Sequence, residues 1–163
     1  MDNNYIFQYW EAIQNGTVTV GKWIKTIYEI LVNGLKSGKW DFDEEKANKA
    51  INFIENFCHH SEGRNDLLKL ELWQKAIVSA IFGIMDKRTG YRQFREVFIV
   101  VARKNGKTLF AAAIAAYMAY IDGEYGAKVY FLAPKLDQAD LVYDAFYQIV
   151  QADDELDSIT KKR

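Results

Sequence analysis

The chain is poor in cysteine and proline and has no long apolar run. Its 163 residues include one cysteine, Cys58, and one proline, Pro134. A single cysteine excludes an internal disulfide and fits a reducing compartment. The longest apolar run, residues 109–121, is too short to span a bilayer and indicates a buried helix. The first residues also lack the apolar core of a signal peptide. We therefore expect a cytoplasmic protein without a membrane anchor.

Net charge excludes another class, the strongly basic nucleic-acid binders. The formal charge is −1, while half of the residues are hydrophobic and 15% are aromatic, which is enough for a packed core. The charge is uneven, because basic side chains crowd residues 87–107 and acidic ones gather at residues 153–157. Beside a phosphate loop, a basic cluster is more typical of nucleotide or subunit contacts than of DNA contacts.

One segment carries chemistry. The apolar run 97–101 leads into residues 101–108, VARKNGKT, which end in Gly106-Lys107-Thr108 and precede an Ala-rich helical pattern. A strand, a tight turn and a helix N-terminus direct backbone N–H groups at an anion, and the lysine neutralises it. The usual phosphate-loop motif opens with a glycine, and Val101 stands at that position here. The alternative to a phosphate site is therefore a strand-to-helix turn with a solvated lysine. Two other Gly-Lys pairs, at 21–22 and 38–39, have neither the strand nor the hydroxyl.

Residues 5–84 are predicted to be helical, from apolar side chains at three- and four-residue steps. Asp43 is predicted to cap the second helix and Asp66 to cap a turn before the third, and residues 61–66 are the predicted linker. The predicted core faces are Trp23, Ile24, Ile27, Leu31 and Leu35, then Ala47, Ala50, Ile51, Ile54 and Phe57, then Trp73, Ala76, Ile77, Ala80, Ile81 and Ile84. Gly34 and Gly38 are predicted to close the first of these helices.

From Arg95 onward the spacing of the apolar residues no longer follows a helical period throughout. We predict a strand at 97–101, a helix at 107–121, a strand at 128–133 and a helix at 136–150. Because both strands are continuously apolar, they indicate a parallel sheet that is covered on both faces. The fold class is therefore α/β.

Several motifs in order carry a family resemblance. They are Leu72-Trp73-Gln74, Thr89-Gly90-Tyr91-Arg92, residues 102–108, residues 129–134 and Gln138-Ala139. With them the chain resembles the N-terminal part of the large terminase subunit of tailed bacteriophages, an ATP-driven motor that packages DNA into capsids. That family carries a modified phosphate loop with arginine in place of the glycine-rich start.

The resemblance implies a domain organisation. Residues 1–66 would be a helical N-terminal region, and residues 67–163 the first half of a P-loop, ASCE-type, parallel-sheet ATPase domain, apparently truncated. In the family's sheet order the first two strands do not pair directly, because later strands lie between them.

The loop residues then receive roles. Lys107 is predicted to contact the β- and γ-phosphates of ATP, and Thr108 to ligate Mg²⁺. Gly106 lets phosphate approach the backbone, where a Cβ would intrude. The resemblance implies that Arg103 stabilises charge on the γ-phosphate and that Gln74 reads the adenine edge. A solvated Arg103 and a merely exposed Gln74 are the alternatives. The predicted nucleotide-binding set is Gln74, Arg103, Lys104, Asn105, Gly106, Lys107 and Thr108, with Arg103 and Lys107 catalytic and Lys104 a surface charge.

No apolar strand that ends in an Asp-Glu pair exists in the sequence, although an ATPase of this class needs one. The family's nuclease domain, with its metal-binding carboxylates, would also lie beyond residue 163. The parent is therefore expected to be an ATPase and endonuclease, and this chain alone to be inactive. Its partners would be double-stranded DNA, the portal ring, a small terminase subunit and its own copies in a ring, inside the bacterial host.

Two other functions stay open. One is a helicase-like ATPase. The other is a prophage remnant that acts as an interaction module through an aromatic surface formed by Tyr5, Phe7, Tyr9, Trp10, Trp23, Tyr28 and Trp40.

Overall fold

The computed structural model of the chain describes residues 4–60 and 66–161. Its described residues form a helix-rich fold with one small two-stranded sheet. The elements are α1 (Tyr5–Gln14), α2 (Lys22–Lys36), β1 (Asp41–Phe42), α3 (Glu44–Phe57), α4 (Leu72–Gly83), β2 (Ile84–Met85), α5 (Lys107–Tyr120), α6 (Leu136–Ala152) and α7 (Asp154–Ile159).

These elements divide between two compact units that alternate along the sequence. The first unit holds the described residues up to Ile51 together with residues 70–98, and the second holds those of 52–69 and 99–163. The division of the chain into domains at residue 66 stays a prediction. The predicted linker falls mostly on residues 61–65, which lie outside the described residues.

In the first unit, α1 packs against α2 and α4. Ile6, Tyr9 and Ile13 are buried at steps of three and four residues, as one helix face requires. The Tyr9 ring meets the Tyr28 ring edge to face, with centroids 4.7 Å apart. Antiparallel pairing of β1 with β2 places Phe42 opposite Ile84. The first unit therefore has its own apolar core.

Helix α2 buries a different face from the predicted one. Tyr28, Leu31 and Val32 are buried, whereas Trp23 is 75% exposed and Ile27 is exposed as well. The prediction that Trp23, Ile24 and Ile27 belong to the core is wrong, because apolar residues cover more than half of this helix and α1 covers only one side of it. Gly34 lies inside α2 and does not close it.

The aromatic surface proposed for an interaction module does not exist as a surface. Tyr9, Tyr28 and Trp40 are core residues. Tyr5, Phe7 and Trp10 are partly buried and pack against that core. Trp23 alone among the seven is largely exposed.

Trp40 explains why position 34 carries glycine. A Cβ at Gly34 would overlap the ring carbons Cζ3 and Cε3 of Trp40. The Trp40 ring is itself held in place, edge to face with the Phe94 ring at a centroid distance of 5.5 Å, beneath the Lys39 ammonium. The backbone of α2 therefore needs to lie against this ring.

Gly34→Ala is expected to destabilise the protein by roughly 1–2 kcal/mol. Alanine gains up to about 1 kcal/mol of helix propensity, but forcing a methyl group into a packed site costs about 1–3 kcal/mol. Urea denaturation measures the difference. In a Trp40→Leu background, which removes the ring, the same substitution should cost less or become favourable. Stabilisation by Gly34→Ala in the otherwise unchanged protein would disprove the close approach.

Helix α3 confirms its prediction. The Lys46 N–H donates to the Asp43 carboxylate at 2.9 Å, so Asp43 caps the helix start. Ala47, Ala50, Ile51 and Ile54 of the predicted face are buried. Asp66, predicted to cap a turn before the third helix, precedes α4, which begins at Leu72.

The backbone around Asp66 is instead paired with the end of α3. Its carbonyl accepts a hydrogen bond from the His60 N–H at 3.0 Å, beside a bridge between His59 and Leu67. Helix α4 takes its cap from Glu71.

A tight turn follows β2. The Asp86 carboxylate accepts hydrogen bonds from the Arg88 N–H at 2.7 Å and the Thr89 N–H at 2.9 Å. Those bonds, the one from Thr89 first, hold the pKa of Asp86 below its ordinary value. Gly90 completes the turn at φ +70°, and the Arg92 guanidinium lies over the Phe82 ring, 5.3 Å from its centroid. The Thr89–Arg92 motif therefore shapes a turn.

In the second unit, α5 packs against α6, and α6 against α7. Four of the buried residues of α5 are alanines, Ala112, Ala113, Ala115 and Ala116. The Tyr117 ring on α5 lies 5.8 Å from the Phe53 ring. Helices α5 and α6 confirm their predictions, with ends within two residues of the predicted ones.

The two predicted strands are wrong for this structure. Residues 97–101 and 128–133 form no ladder with any described residue. Their side chains are largely exposed, with Phe98 91% exposed and Leu132 similarly open. A strand needs a neighbour to complete its backbone hydrogen bonds, and these two segments do not supply one to each other.

Candidate phosphate-binding loop

The loop before α5 has a backbone that depends on two left-handed residues. Gly106 stands at the helix N-cap with φ +65° and ψ 18°. Lys104 is the other, at φ +67°, and among the described residues it is the sole non-glycine residue with positive φ. Such a conformation costs a non-glycine residue about 1–2 kcal/mol. The chain therefore tolerates strain at Lys104 in order to make this turn.

The Asn105 side chain forms hydrogen bonds to backbone carbonyls of its own turn. Its side-chain amide donates to the Ala102 carbonyl at 3.2 Å and to the Arg103 carbonyl at 3.4 Å. The carbonyl of Gly106 accepts from the Phe110 N–H at 2.9 Å, which begins the α5 ladder. Asn105 thus acts on the shape of the loop.

The N-terminus of α5 is available to an anion. No side chain caps it, so the first N–H groups of the helix keep their hydrogen-bonding capacity and the positive end of its dipole. A Cβ built on Gly106 meets no atom within 4 Å. The space above the loop is therefore open, while the positive φ gives a separate reason for glycine at this position.

The three cations of the loop are not neutralised. Arg103, Lys104 and Lys107 are exposed and form no ion pair with any residue that the structure describes. Three unpaired cations around an open helix N-terminus create a positive potential suited to phosphate.

A cleft of about 540 Å³ opens beside this loop, within the second unit. One wall comes from the loop and the start of α5, and the other from α6. The lining residues are His60, Lys104, Gly106, Lys107, Thr108, Leu109, Leu141, Asp144, Ala145 and Gln148. Its size falls within the range of small-molecule sites.

The donor set fits a nucleotide phosphate and a magnesium ion. Lys107 offers ammonium donors to phosphate oxygens, and Thr108 offers a hydroxyl oxygen of the kind that Mg²⁺ accepts. Within residues 4–60 and 66–161, no cluster of three or more His, Cys, Asp or Glu side chains is arranged to hold a metal ion. A metal here would therefore take most of its ligands from phosphate and water, which is common for Mg²⁺.

The predicted residues are distributed unevenly around the cleft. Lys107, Thr108 and Gly106 line it, and so does Lys104, which the sequence analysis places in the nucleotide-binding set as a surface charge. Arg103 and Asn105 belong to the same loop without lining the cleft.

Gln74 lies in the first unit, where it is buried at the start of α4. Its side-chain carbonyl accepts a hydrogen bond from the Glu71 N–H at 2.9 Å as part of a capping box. This bond gives Gln74 a structural task in addition to the predicted one, which stays a prediction.

Sequence reasoning missed the α6 wall. Leu141, Asp144, Ala145 and Gln148 follow one another at steps of three, one and three residues, which is a single helix face. The spacing was visible in the sequence. Nothing in it indicated that this face would turn toward the loop.

Comparisons with known proteins agree with the geometry. Residues 72–163 match the family model of the terminase large subunit, ATPase domain. The fold is similar to the crystal structure of the HK97 bacteriophage large terminase, with a TM-score of 0.61 and 25% sequence identity. That similarity covers 72% of this chain and 23% of the HK97 chain. No curated protein matches the chain. No helix of the described residues has the length and hydropathy needed to cross a membrane.

Proposed function

The chain belongs to the family of terminase large subunits, whose ATPase domain it carries at residues 72–163, and we propose that its loop at residues 103–108 binds Mg²⁺-ATP. The observation that carries this proposal is the uncapped N-terminus of α5 beside a cleft lined by Lys104, Lys107 and Thr108. Backbone N–H groups, two ammonium groups and a hydroxyl converge there, with space for a phosphate chain.

The proposed roles follow from chemistry and position. Lys107 holds the β- and γ-phosphates, and Thr108 gives an oxygen to Mg²⁺. Arg103, whose side chain is exposed on the loop, stabilises charge on the γ-phosphate with paired hydrogen bonds. Asn105 keeps the turn closed through the Ala102 and Arg103 carbonyls. Bound Mg²⁺ would supply charge neutralisation between phosphate oxygens.

Gln74 is proposed to read the adenine edge. An amide offers both a donor and an acceptor, which is what the adenine edge requires. Because the carbonyl of Gln74 already accepts from the Glu71 N–H, adenine would share that oxygen or displace the bond. Release of the capping box would then accompany nucleotide binding.

The motor function is a proposal for the whole protein, of which this chain resembles a part. The chain spans 23% of the HK97 large terminase chain. In the proposal, residues 97–101 and 128–133 become strands of a P-loop, ASCE-type parallel sheet when further strands pair with them. The whole protein then packages double-stranded DNA with a portal ring, a small terminase subunit and copies of itself, in the cytoplasm of a bacterial host. In the proposal this chain alone binds nucleotide without turning it over, because no apolar strand pattern of its sequence ends in the carboxylate pair that would activate water.

Lys107→Ala is expected to weaken Mg²⁺-ATP binding by roughly ten- to a hundredfold. Hydrogen bonds that involve a charged group contribute about 1.5–3 kcal/mol, and each 1.4 kcal/mol is about a tenfold change in affinity. Isothermal titration calorimetry of the pure chain with Mg²⁺-ATP and with a non-hydrolysable analogue measures it.

Lys22→Ala is the matched control. Lys22 also follows a glycine at a helix start, but Gly21 lies at φ −69° and the residue after Lys22 is Trp23, which has no hydroxyl. Its removal should leave the affinity unchanged. Equal losses from both variants, or no Mg²⁺-ATP binding by a folded chain, would overturn the proposal.

A further inference from the structure

The cleft wall opposite the phosphate loop contains a carboxylate. Asp144 lies on α6, on the same face as Leu141, Ala145 and Gln148, and lines the cleft together with Lys104, Lys107 and Thr108. Among the described residues that line the cleft, it is the one acidic side chain. The Asp144 carboxylate would repel the phosphates of a nucleotide bound in this cleft.

Asp144 does not serve to neutralise the loop. It forms no ion pair with Lys104, Lys107 or any other described residue. Its side chain is exposed, so the protein does not need this carboxylate for packing. The charge therefore remains available to whatever enters the cleft.

Electrostatics separates two possible occupants. Metal-free ATP carries its full phosphate charge toward Asp144 and is repelled, since like charges that share a cleft raise each other's energy. A nucleotide that carries Mg²⁺ presents a hydrated cation, which attracts a carboxylate directly or through a metal-bound water. The same side chain thus penalises one form of the nucleotide and favours the other.

We propose that Asp144 makes the cleft selective for the magnesium complex of a nucleoside triphosphate over the metal-free nucleotide. The proposal rests on the proposed function and deepens it. Asp144 acts as a specificity-determining residue: Lys104 and Lys107 attract phosphate of either form, and Asp144 distinguishes the two.

The test compares ATP affinity in excess Mg²⁺ with ATP affinity in EDTA, measured by calorimetry on the full chain. In Asp144→Asn the ratio of the two affinities should fall by about three- to tenfold relative to the unchanged protein, as expected for one partly screened charge. The fall should come from tighter binding in EDTA together with weaker binding in Mg²⁺. Asp144→Lys should reduce the ratio further.

Asp140→Asn is the matched control. Asp140 is an exposed residue one turn earlier on α6, and it is not among the residues that line the cleft. The substitution removes the same charge from the same helix and should leave the ratio unchanged. Thermal unfolding of each variant checks that the fold is intact.

The outcomes distinguish the two proposals. An unchanged ratio in both Asp144 variants, or an equal change in Asp140→Asn, overturns the role of Asp144 while ATP binding stands. Absence of ATP binding by the unchanged, folded chain under both conditions overturns the proposed function, and the role of Asp144 falls with it.

Discussion

Phe82→Ala is expected to lower the free energy of unfolding by about 3–5 kcal/mol, the range for truncating a buried aromatic ring. Phe82 is 1% exposed near the end of α4, and the Arg92 guanidinium lies over its ring. Alanine would leave a cavity in the first unit and remove the ring that the Arg92 guanidinium contacts. Urea denaturation followed by circular dichroism measures the loss.

Phe98→Ala is the matched control, because it makes the same chemical change at a ring that is 91% exposed. Its effect should stay within about 0.5 kcal/mol, as for other surface substitutions. If Phe98→Ala instead cost as much as Phe82→Ala, residues 97–101 would be packed as the sequence predicts, and their exposure in this structure would be wrong.

The helices could be predicted because each one carries its own evidence. Helix α3 shows a cap at Asp43 and a buried stripe from Ala47 to Ile54, and the structure has both. Helix α5 begins directly after Gly106, where the turn signal placed its start. Hydrogen bonds within a helix are local, so a short stretch of sequence determines where it begins and which residues share a face.

The strands could not be predicted in the same way. Residues 97–101 and 128–133 have the continuous apolar composition of buried strands, yet both are unpaired here. The composition of a segment shows that it can form a buried strand. Whether it does so depends on a second segment that pairs with it, and its own residues do not specify that partner.

The buried face of helix α2 could not be predicted from the sequence, for a different reason. Apolar residues cover somewhat more than half of its circumference, which is wider than the side that α1 covers, so its sequence permits more than one core face. The covered side is decided by α1, which packs on Tyr28 and Leu31. Only tertiary packing selects one face from a wide apolar arc.

The candidate site also has a part that local sequence predicts and a part that depends on tertiary packing. The loop at residues 103–108 was found from the sequence because a glycine, a lysine and a threonine between a strand signal and a helix signal form a local pattern. Asp144 and Gln148 were missed, because they reach the cleft through the packing of α6 on α5. Lys104 is predicted as an exposed charge of the loop, and the sequence does not indicate that it lines a cleft whose other wall lies about 40 residues away.

Alkylation of Cys58 by iodoacetamide near pH 8 is expected to be at least about 1,000-fold slower in the folded protein than in urea. Burial first, and the charge of Asp153 second, raise the pKa of the Cys58 thiol from 9.0 to about 12. Each unit lowers the reactive thiolate fraction about tenfold below the pKa. The thiol is also fully buried, so the reagent has no direct access. Mass spectrometry follows one site, because the chain contains one cysteine.

Asp153→Asn separates the two causes. Asp153 caps α7 by accepting hydrogen bonds from the Glu155 and Leu156 N–H groups, and asparagine caps a helix about as well while it removes the charge. The rate should rise by much less than unfolding raises it, since burial is the larger cause of the raised pKa. A rate near that of the unfolded chain, in either protein, would mean that the core around Cys58 is open.

The same thiol predicts how stability depends on pH at the alkaline end. The folded-state pKa is raised to about 12, so above pH 9 the unfolded chain loses the Cys58 proton while the folded chain keeps it. The free energy of unfolding contributed by this group is therefore complete below pH 9 and decreases as pH rises toward 12. Cys58→Ser, whose hydroxyl does not titrate there, should remove that part of the decrease, and urea titrations from pH 8 to pH 11 would detect it. A decrease of the same steepness in Cys58→Ser would assign the alkaline loss to other groups, the buried Tyr28 first among them, because burial also raises the pKa of its phenol.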